Sequence, residues 1–314
     1  MIPVIWTDNF RPGTARVIQR VLSKRPSSQP SLPRIAVFDQ HIAVDEQQLS
    51  RYQRLVGLPA SSTLPPLFLQ VYSLPMQLFL LGHDDFSMRV LGLVHLSNQV
   101  TQWRAIAAHE DLRVINYLTN LRPHKRGWVF DLCTEALSEG ELVWRSTATS
   151  LSRAEHNQKA SWQGLSLQLH DPVQQPLTLG DDLGRRYAKV SGDYNPIHLW
   201  PVTARLFGFN RQIMHGMWSK ARCLAAVAEQ RELSRFHCRV DFKKPVSLPA
   251  SVNINWQGQE NGGQFSLTGS QETVHLLGEI SDQLPDPVSV QSVHWAQMAQ
   301  ESPDCNGAPA IPFE

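Results

Sequence analysis

The chain has 314 residues, 42 % of them hydrophobic, which is enough for one large or two ordinary domains around a real core. Its 29 basic and 28 acidic residues nearly cancel, leaving no electrostatic footprint for nucleic acid or an anionic membrane. Cys133, Cys223, Cys238 and Cys305 lack close pairing and ligand-like histidine spacing, which argues against a zinc site and against a disulfide framework.

Residues 1–35 are basic and proline-containing, and are expected to be ordered only in part. The start has no basic stretch leading into an apolar one, so no signal peptide is read and a soluble, reducing, cytoplasmic setting is expected. A helix is predicted over 43–52, entered through an acidic first turn. The proline-interrupted segment 64–81 reads as a buried, broken helix, too interrupted to span a bilayer. Leu67, Phe68, Leu69, Tyr72, Leu78 and Phe79 there suit either an acyl tunnel or plain helix burial. Strand-sized runs follow at 92–100, 111–118, 127–132 and 140–146, spaced for an antiparallel meander.

A polar interval separates these from a second half built in the same order. An acid/histidine turn leads to a buried helix near 217–229, then to strand-like runs at 236–243, 250–256, 264–268 and 274–280. Residues 258–263, rich in glycine, form a natural hairpin connection. Two passes of buried helix and four strands predict an internal structural repeat. A short helix over 291–299 closes the chain. The expected organisation is an extension at 1–35, a first unit at 36–150, a linker at 151–175, a second unit at 176–282 and a tail at 283–314.

The chemistry concentrates in Ser191-Gly192-Asp193-Tyr194-Asn195-Pro196-Ile197-His198. Gly192 can take the positive φ of a tight reversal, leaving Asp193 on an exposed turn. Asn195-Pro196 is a cap followed by a first helical position, so a helical turn is expected from Pro196, with His198 pointing back toward Asp193. Pro201 stops any helix running on from His198. An acid and an imidazole converging on one small volume can remove a proton at one atom and donate one at its neighbour, as adding or eliminating water across a C–C bond requires. Negative charge then develops on an adjacent carbonyl oxygen, which a helix N-terminus stabilises. The N–H of Gly216, at the start of the second buried helix, is the candidate donor. Asn195 and Ser191 join Gly216 as candidate substrate contacts.

The run 187–198, with Phe209-Asn210-Arg211-Gln212-Ile213-Met214-His215-Gly216-Met217 and Asp241-Phe242-Lys243-Lys244-Pro245-Val246, resembles the MaoC-like dehydratases and (R)-specific enoyl-CoA hydratases. The resemblance covers about residues 180–250. It implies an α+β double hot-dog fold, in which two antiparallel sheets each wrap around a central helix. It also implies a cofactor-free hydro-lyase acting on trans-2-enoyl or (R)-3-hydroxyacyl thioesters of coenzyme A or acyl carrier protein. The family's catalytic pair maps to Asp193 and His198 and its oxyanion glycine to Gly216. The first unit lacks the Gly-Asp-x-Asn-Pro-x-His string and is expected to shape the acyl pocket. In dehydration, His198 would take the α-proton while an Asp193 made more basic by burial protonates the leaving hydroxyl; joint activation of one water is the alternative. His215 either shapes its turn or assists. His95, His109, His237 and His275 read as structural, and Lys243 and Lys244 as phosphate contacts or a solvated strand end. Hot-dog folds also support thioester hydrolysis or mere acyl binding, and a homodimer is a further option.

Overall fold

The computed structural model describes residues 4–7, 29–154, 160 and 162–287. The helix expected over 291–299, and Cys305, lie outside the described residues. In chain order the described elements start with β1 (Val4–Thr7), β2 (Ala36–Asp39), α1 (Glu46–Val56), α2 (Phe68–Tyr72), α3 (Leu74–Gly82) and β3 (Val94–Gln102). Next come β4 (Arg113–His124), β5 (Gly127–Ser138), β6 (Glu141–Arg153), β7 (Val173–Leu179), α4 (Leu183–Ser191) and a 3₁₀ turn at Pro196–His198. The remainder is α5 (Pro201–Arg205), α6 (Gly216–Ala228), β8 (Phe236–Phe242), β9 (Ala250–Gln259), β10 (Gly262–Thr268) and β11 (Val274–Ser281).

The strands join in the order β1-β2-β4-β5-β6-β3-β8-β11-β10-β9-β7. Each half is therefore the same motif, β2-β4-β5-β6-β3 in one and β7-β9-β10-β11-β8 in the other. In both, the first strand of the four-strand meander returns beside the last. The two expected sheets meet edge to edge where β3 pairs antiparallel with β8, Ser97 opposite Asp241 and Gln102 opposite Phe236, so they form one continuous sheet. β2 and β7 escaped the sequence reading for different reasons. β2 is only four residues long, and β7, which begins within the expected linker, is polar and mostly exposed along its length.

Local chemistry sets the helix limits. Asp45 Oδ1 accepts from the N–H groups of Gln47 (2.8 Å) and Gln48 (3.2 Å), so α1 starts at Glu46, three residues later than expected. Gly57 ends it at φ 82°. The apolar segment 64–81 does break as expected, at Ser73, where Pro75 opens the next helix. These helices and α6 feed one core spanning both halves.

Within that core, Lys220 on α6 is fully buried and crosses to the other half. Its Nζ donates to the Asn98 carbonyl (3.1 Å) and to Asn98 Oδ1 (2.7 Å). Burial pushes the lysine down to about 8. Between pH 8 and the ordinary lysine range, the unfolded chain holds a proton that the folded chain has released, so this group makes stability rise with pH. Relative to Lys220→Met, the native chain should gain about 3 kcal/mol across that window, and below pH 8 the difference should be flat. Urea midpoints at pH 7 and pH 10 test this; equal differences at both would refute it.

Candidate active site

The acid/histidine turn folds as its residues dictate. α4 stops at Gly192, which sits at φ 79°, a conformation open to glycine and strained for other residues. Asn195 caps the 3₁₀ turn, its Oδ1 accepting from the Ile197 N–H (3.4 Å), and Pro196 opens it. The chain does not run on as a helix. It restarts at Pro201 as α5. Gly184 on α4 permits the closest approach to this turn, since an added Cβ would overlap the His198 carbonyl.

Asp193, His198 and His215 come together with their side-chain donor atoms within 4.8 Å of one another. His198 is 8 % exposed. Its Nδ1 lies 2.7 Å from the Ile213 carbonyl, which can only accept, so Nδ1 carries the proton and Nε2 keeps a free lone pair. Burial lowers its pKa and the nearby Asp193 opposes that shift, so the ring is a neutral base at pH 7. His215 stacks on it with ring centroids 3.7 Å apart at 27°. His215 Nε2 donates to the Asp193 carbonyl (3.0 Å), and burial, then His198, pushes the ring down to about 3. Of the two roles left open for His215, this bond supports shaping the turn: it holds the Asp193 backbone, and the ring flanks that of His198. Because the two rings stack, their in-plane lone pairs do not converge on one point, and the trio does not fit a metal ion.

Asp193 Oδ1 accepts from the Asn195 N–H (3.2 Å), and its side chain is 39 % exposed. The burial expected to help it act as an acid is thus only partial. Ser191 is also reassigned. Buried off the cavity wall, its hydroxyl donates to the Tyr187 carbonyl (2.9 Å) and accepts from the Asp193 N–H (3.2 Å), bracing the turn.

Gly216 is the first residue of α6, so its N–H has no intrahelical partner, and the residue lines the same cavity as Asp193 and His198. A Cβ there would meet Phe242 Cε1 at 2.9 Å, so the glycine also seats an aromatic wall. Gly216→Ala is expected to lower kcat/KM on the order of 10²-fold by displacing that wall and the donor. Native circular dichroism would show that the fold survives.

A cavity of about 400 Å³ holds Asp193, Asn195, His198, His215 and Gly216 on its wall. Its apolar lining comes from Leu93, Val94, Met217, Phe242 and Val246, partly from the first half. The helical residues offered as an acyl tunnel are absent from it. Leu67, Phe68, Leu69, Tyr72 and Phe79 are buried in the core instead. His95 and His275, read as structural, do line it. His95 packs 4.6 Å from Phe242, and burial, with Lys220 second, pushes it down to about 4. A register shift between His95 and Ser97 re-aims this stretch, and a bulge leaves no signature in a single sequence. No helix among the described residues is long and apolar enough to cross a membrane.

A family model described as MaoC like domain matches residues 168–276. The chain is 32 % identical over 245 residues to the 3-hydroxyacyl-thioester dehydratase X of Mycobacterium tuberculosis, covering 75 % of this chain and 85 % of that one. It is 26 % identical over 152 residues to the peroxisomal enoyl-CoA hydratase 2 of Arabidopsis thaliana, covering 43 % and 48 %. The crystal structure of HtdX of M. tuberculosis superposes with a TM-score of 0.69 at 29 % identity, covering 78 % of this chain and 98 % of that one. A MaoC-like dehydratase from Phytophthora capsici superposes at 0.66 with 15 % identity over 87 % and 99 %, a likeness of fold. The acid/histidine turn, the glycine-led helix and the doubled hot-dog sheet agree with these likenesses, and the chain belongs to the MaoC-like dehydratase family.

Proposed function

We propose that this protein is a hydro-lyase that reversibly adds water to trans-2-enoyl thioesters or removes it from (R)-3-hydroxyacyl thioesters. The observation that carries the reading is the neutral His198 whose Nε2 lone pair shares a cavity with the Asp193 carboxylate and the Gly216 N–H. In hydration, His198 Nε2 takes a proton from a water that the Asp193 carboxylate holds. The hydroxyl oxygen bonds to C3, and the electron pair of the C2–C3 double bond moves toward the thioester, placing enolate charge on its oxygen. The N-terminus of α6 stabilises that charge. The proton then passes to C2, so one water is added in all. Dehydration runs the same steps in reverse, with His198 taking the C2 proton and the pair delivering it to the departing hydroxyl. Because Asp193 is half open to solvent, we infer that it works jointly with His198 on one water and is not a separate buried acid. The doubled unit divides the labour: the 176–282 half supplies the reacting groups, and the 36–150 half closes the cavity.

Crotonyl thioester should lose its enoyl absorbance with the protein present and form the (R)-3-hydroxy product. Release of free thiol with no hydroxyacyl product would instead mark a thioesterase, and binding without turnover an acyl-binding module. The pH profile gives a second check. His198 is lowered from its usual value, so kcat/KM should hold down to below pH 6.5 and fall only as the ring protonates. An acid limb above the ordinary histidine range would contradict a buried neutral base.

A further inference from the structure

We infer that Lys220 takes part in the reaction as a buried positive charge, set behind the Gly216 helix start to steady the enolate oxygen without touching the substrate; this rests on the hydro-lyase reading above. Lys220 lies four residues after Gly216 on α6, one turn along the same face. Side chains of an α-helix lean back toward its N-terminus, which carries the ammonium toward Gly216. Its Nζ donates to the Asn98 carbonyl (3.1 Å) and to Asn98 Oδ1 (2.7 Å) on β3. Asn98 stands three residues after His95 and opposite Val240 on β8, two residues before Phe242. His95 and Phe242 both line the catalytic cavity, and Phe242 is the ring that Gly216 faces. The ammonium thus sits behind the wall that Gly216, Phe242 and His95 form.

Nothing around this charge cancels it. Among the described residues no carboxylate pairs with Lys220, and both atoms that accept from it belong to the neutral Asn98. The titratable groups that face it are His95 on β3 and His237 and Cys238 on β8. Burial, then Lys220, holds both rings below the usual histidine range, and burial pushes the Cys238 thiol up, so all three are neutral at pH 7. Stability gives no reason to keep such a group, since an uncompensated buried charge is costly and an apolar side chain of similar length would fill the space. A cation near a helix N-terminus is also misplaced for the helix dipole. The two positive sources instead converge where the thioester oxygen gains negative charge, and a charge fixed in a water-poor site needs no reorganisation as the reaction proceeds. His95 joins the two regions: its ring, on the cavity wall, feels both Lys220 and Asp193.

The test is the pH profile of crotonyl-CoA hydration, followed by enoyl absorbance from pH 7 to pH 9.5, on the wild type, Lys220→Met and Asn98→Asp. In the wild type kcat should fall on the order of tenfold through a limb near pH 8, the size of effect that one buried charge exerts through protein. This group makes the fold more stable as pH rises, so native circular dichroism should persist across the limb. Lys220→Met should show the lower kcat already at pH 7, with no limb and KM nearly unchanged. Asn98→Asp keeps the tie to the ammonium and neutralises its charge, so its kcat at pH 7 should match that of Lys220→Met. A lysine that merely held the helix in place would leave Asn98→Asp near the wild type. A flat wild-type profile, a limb retained by Lys220→Met, or normal kcat in Asn98→Asp would each overturn the inference, and the first of these requires no variant to fold. Failure of the wild type to hydrate crotonyl-CoA at any pH would sink the hydro-lyase reading itself, leaving Lys220 no enolate to act on.

Discussion

Purified His198→Ala and Asp193→Asn should each lose on the order of 10²–10⁴ in kcat on crotonyl thioester while keeping a native melting profile. Both imidazoles have a tautomer fixed by a protein carbonyl, but His198 is the one whose free ring nitrogen is not sealed away from solvent. His215 spends Nε2 on the Asp193 backbone and keeps Nδ1 buried without a partner among the described residues. Truncating His198 removes the proton acceptor and leaves the Ile213 carbonyl without its donor. Asp193→Asn keeps the shape and removes the charge that orients water and favours the transient imidazolium. His215→Asn is the informative companion. Because that ring shapes the turn, its loss should move KM and stability along with kcat. Near-normal turnover by either His198→Ala or Asp193→Asn would end the proposed mechanism.

Phe265→Ala should cost about 3–5 kcal/mol, read as a lowered urea midpoint with an unchanged slope. Its ring is fully buried, and across the β10–β11 pair it lies over Gly278, where an added Cβ would run into it. Removing the ring opens a cavity whose facing wall is a residue without a side chain, so little can relax into the space. Against a typical total of about 5–15 kcal/mol, that loss is a large fraction of stability. A drop below 1 kcal/mol would mean that the sheet collapses around the gap. Gly278→Ala approaches the same contact from the opposite side, and should destabilise by overpacking.

Much of the site could be read along the chain because its residues are near neighbours. Gly192, Asn195 and Pro196 act through backbone rules that hold wherever they occur: a positive φ, a side-chain cap, a fixed φ at a helix start. They place Asp193 and His198 a few residues apart without help from the rest of the fold. The eight meander strands were equally legible, since alternation over strand-length runs marks a surface half buried against a core, whereas β1, β2 and β7 were not. The segment 64–81 broke where its prolines said it would, yet its burial proved to be core and not tunnel. Both fates need the same apolar residues, so composition could not separate them.

What had to wait for the tertiary structure were the relations between distant residues. A separate acid role for Asp193 called for burial, yet its side chain stays 39 % exposed, because how far a turn is covered depends on packing from distant segments. Ser191 looked like a substrate contact in the motif, and the fold turned its hydroxyl inward to the Tyr187 carbonyl. His95, Arg126 and Arg153 carried no signal at all. They reach the cavity only because β3 pairs with β8 and brings the first half against the second. The sequence by itself determined the acid/histidine turn, the helix starts and the doubled order of elements, because propensity, capping and periodicity act within a few residues. Only the tertiary structure decided which side chains share a cavity and how water reaches them, because strand pairing across more than a hundred residues is a global choice that no local pattern encodes.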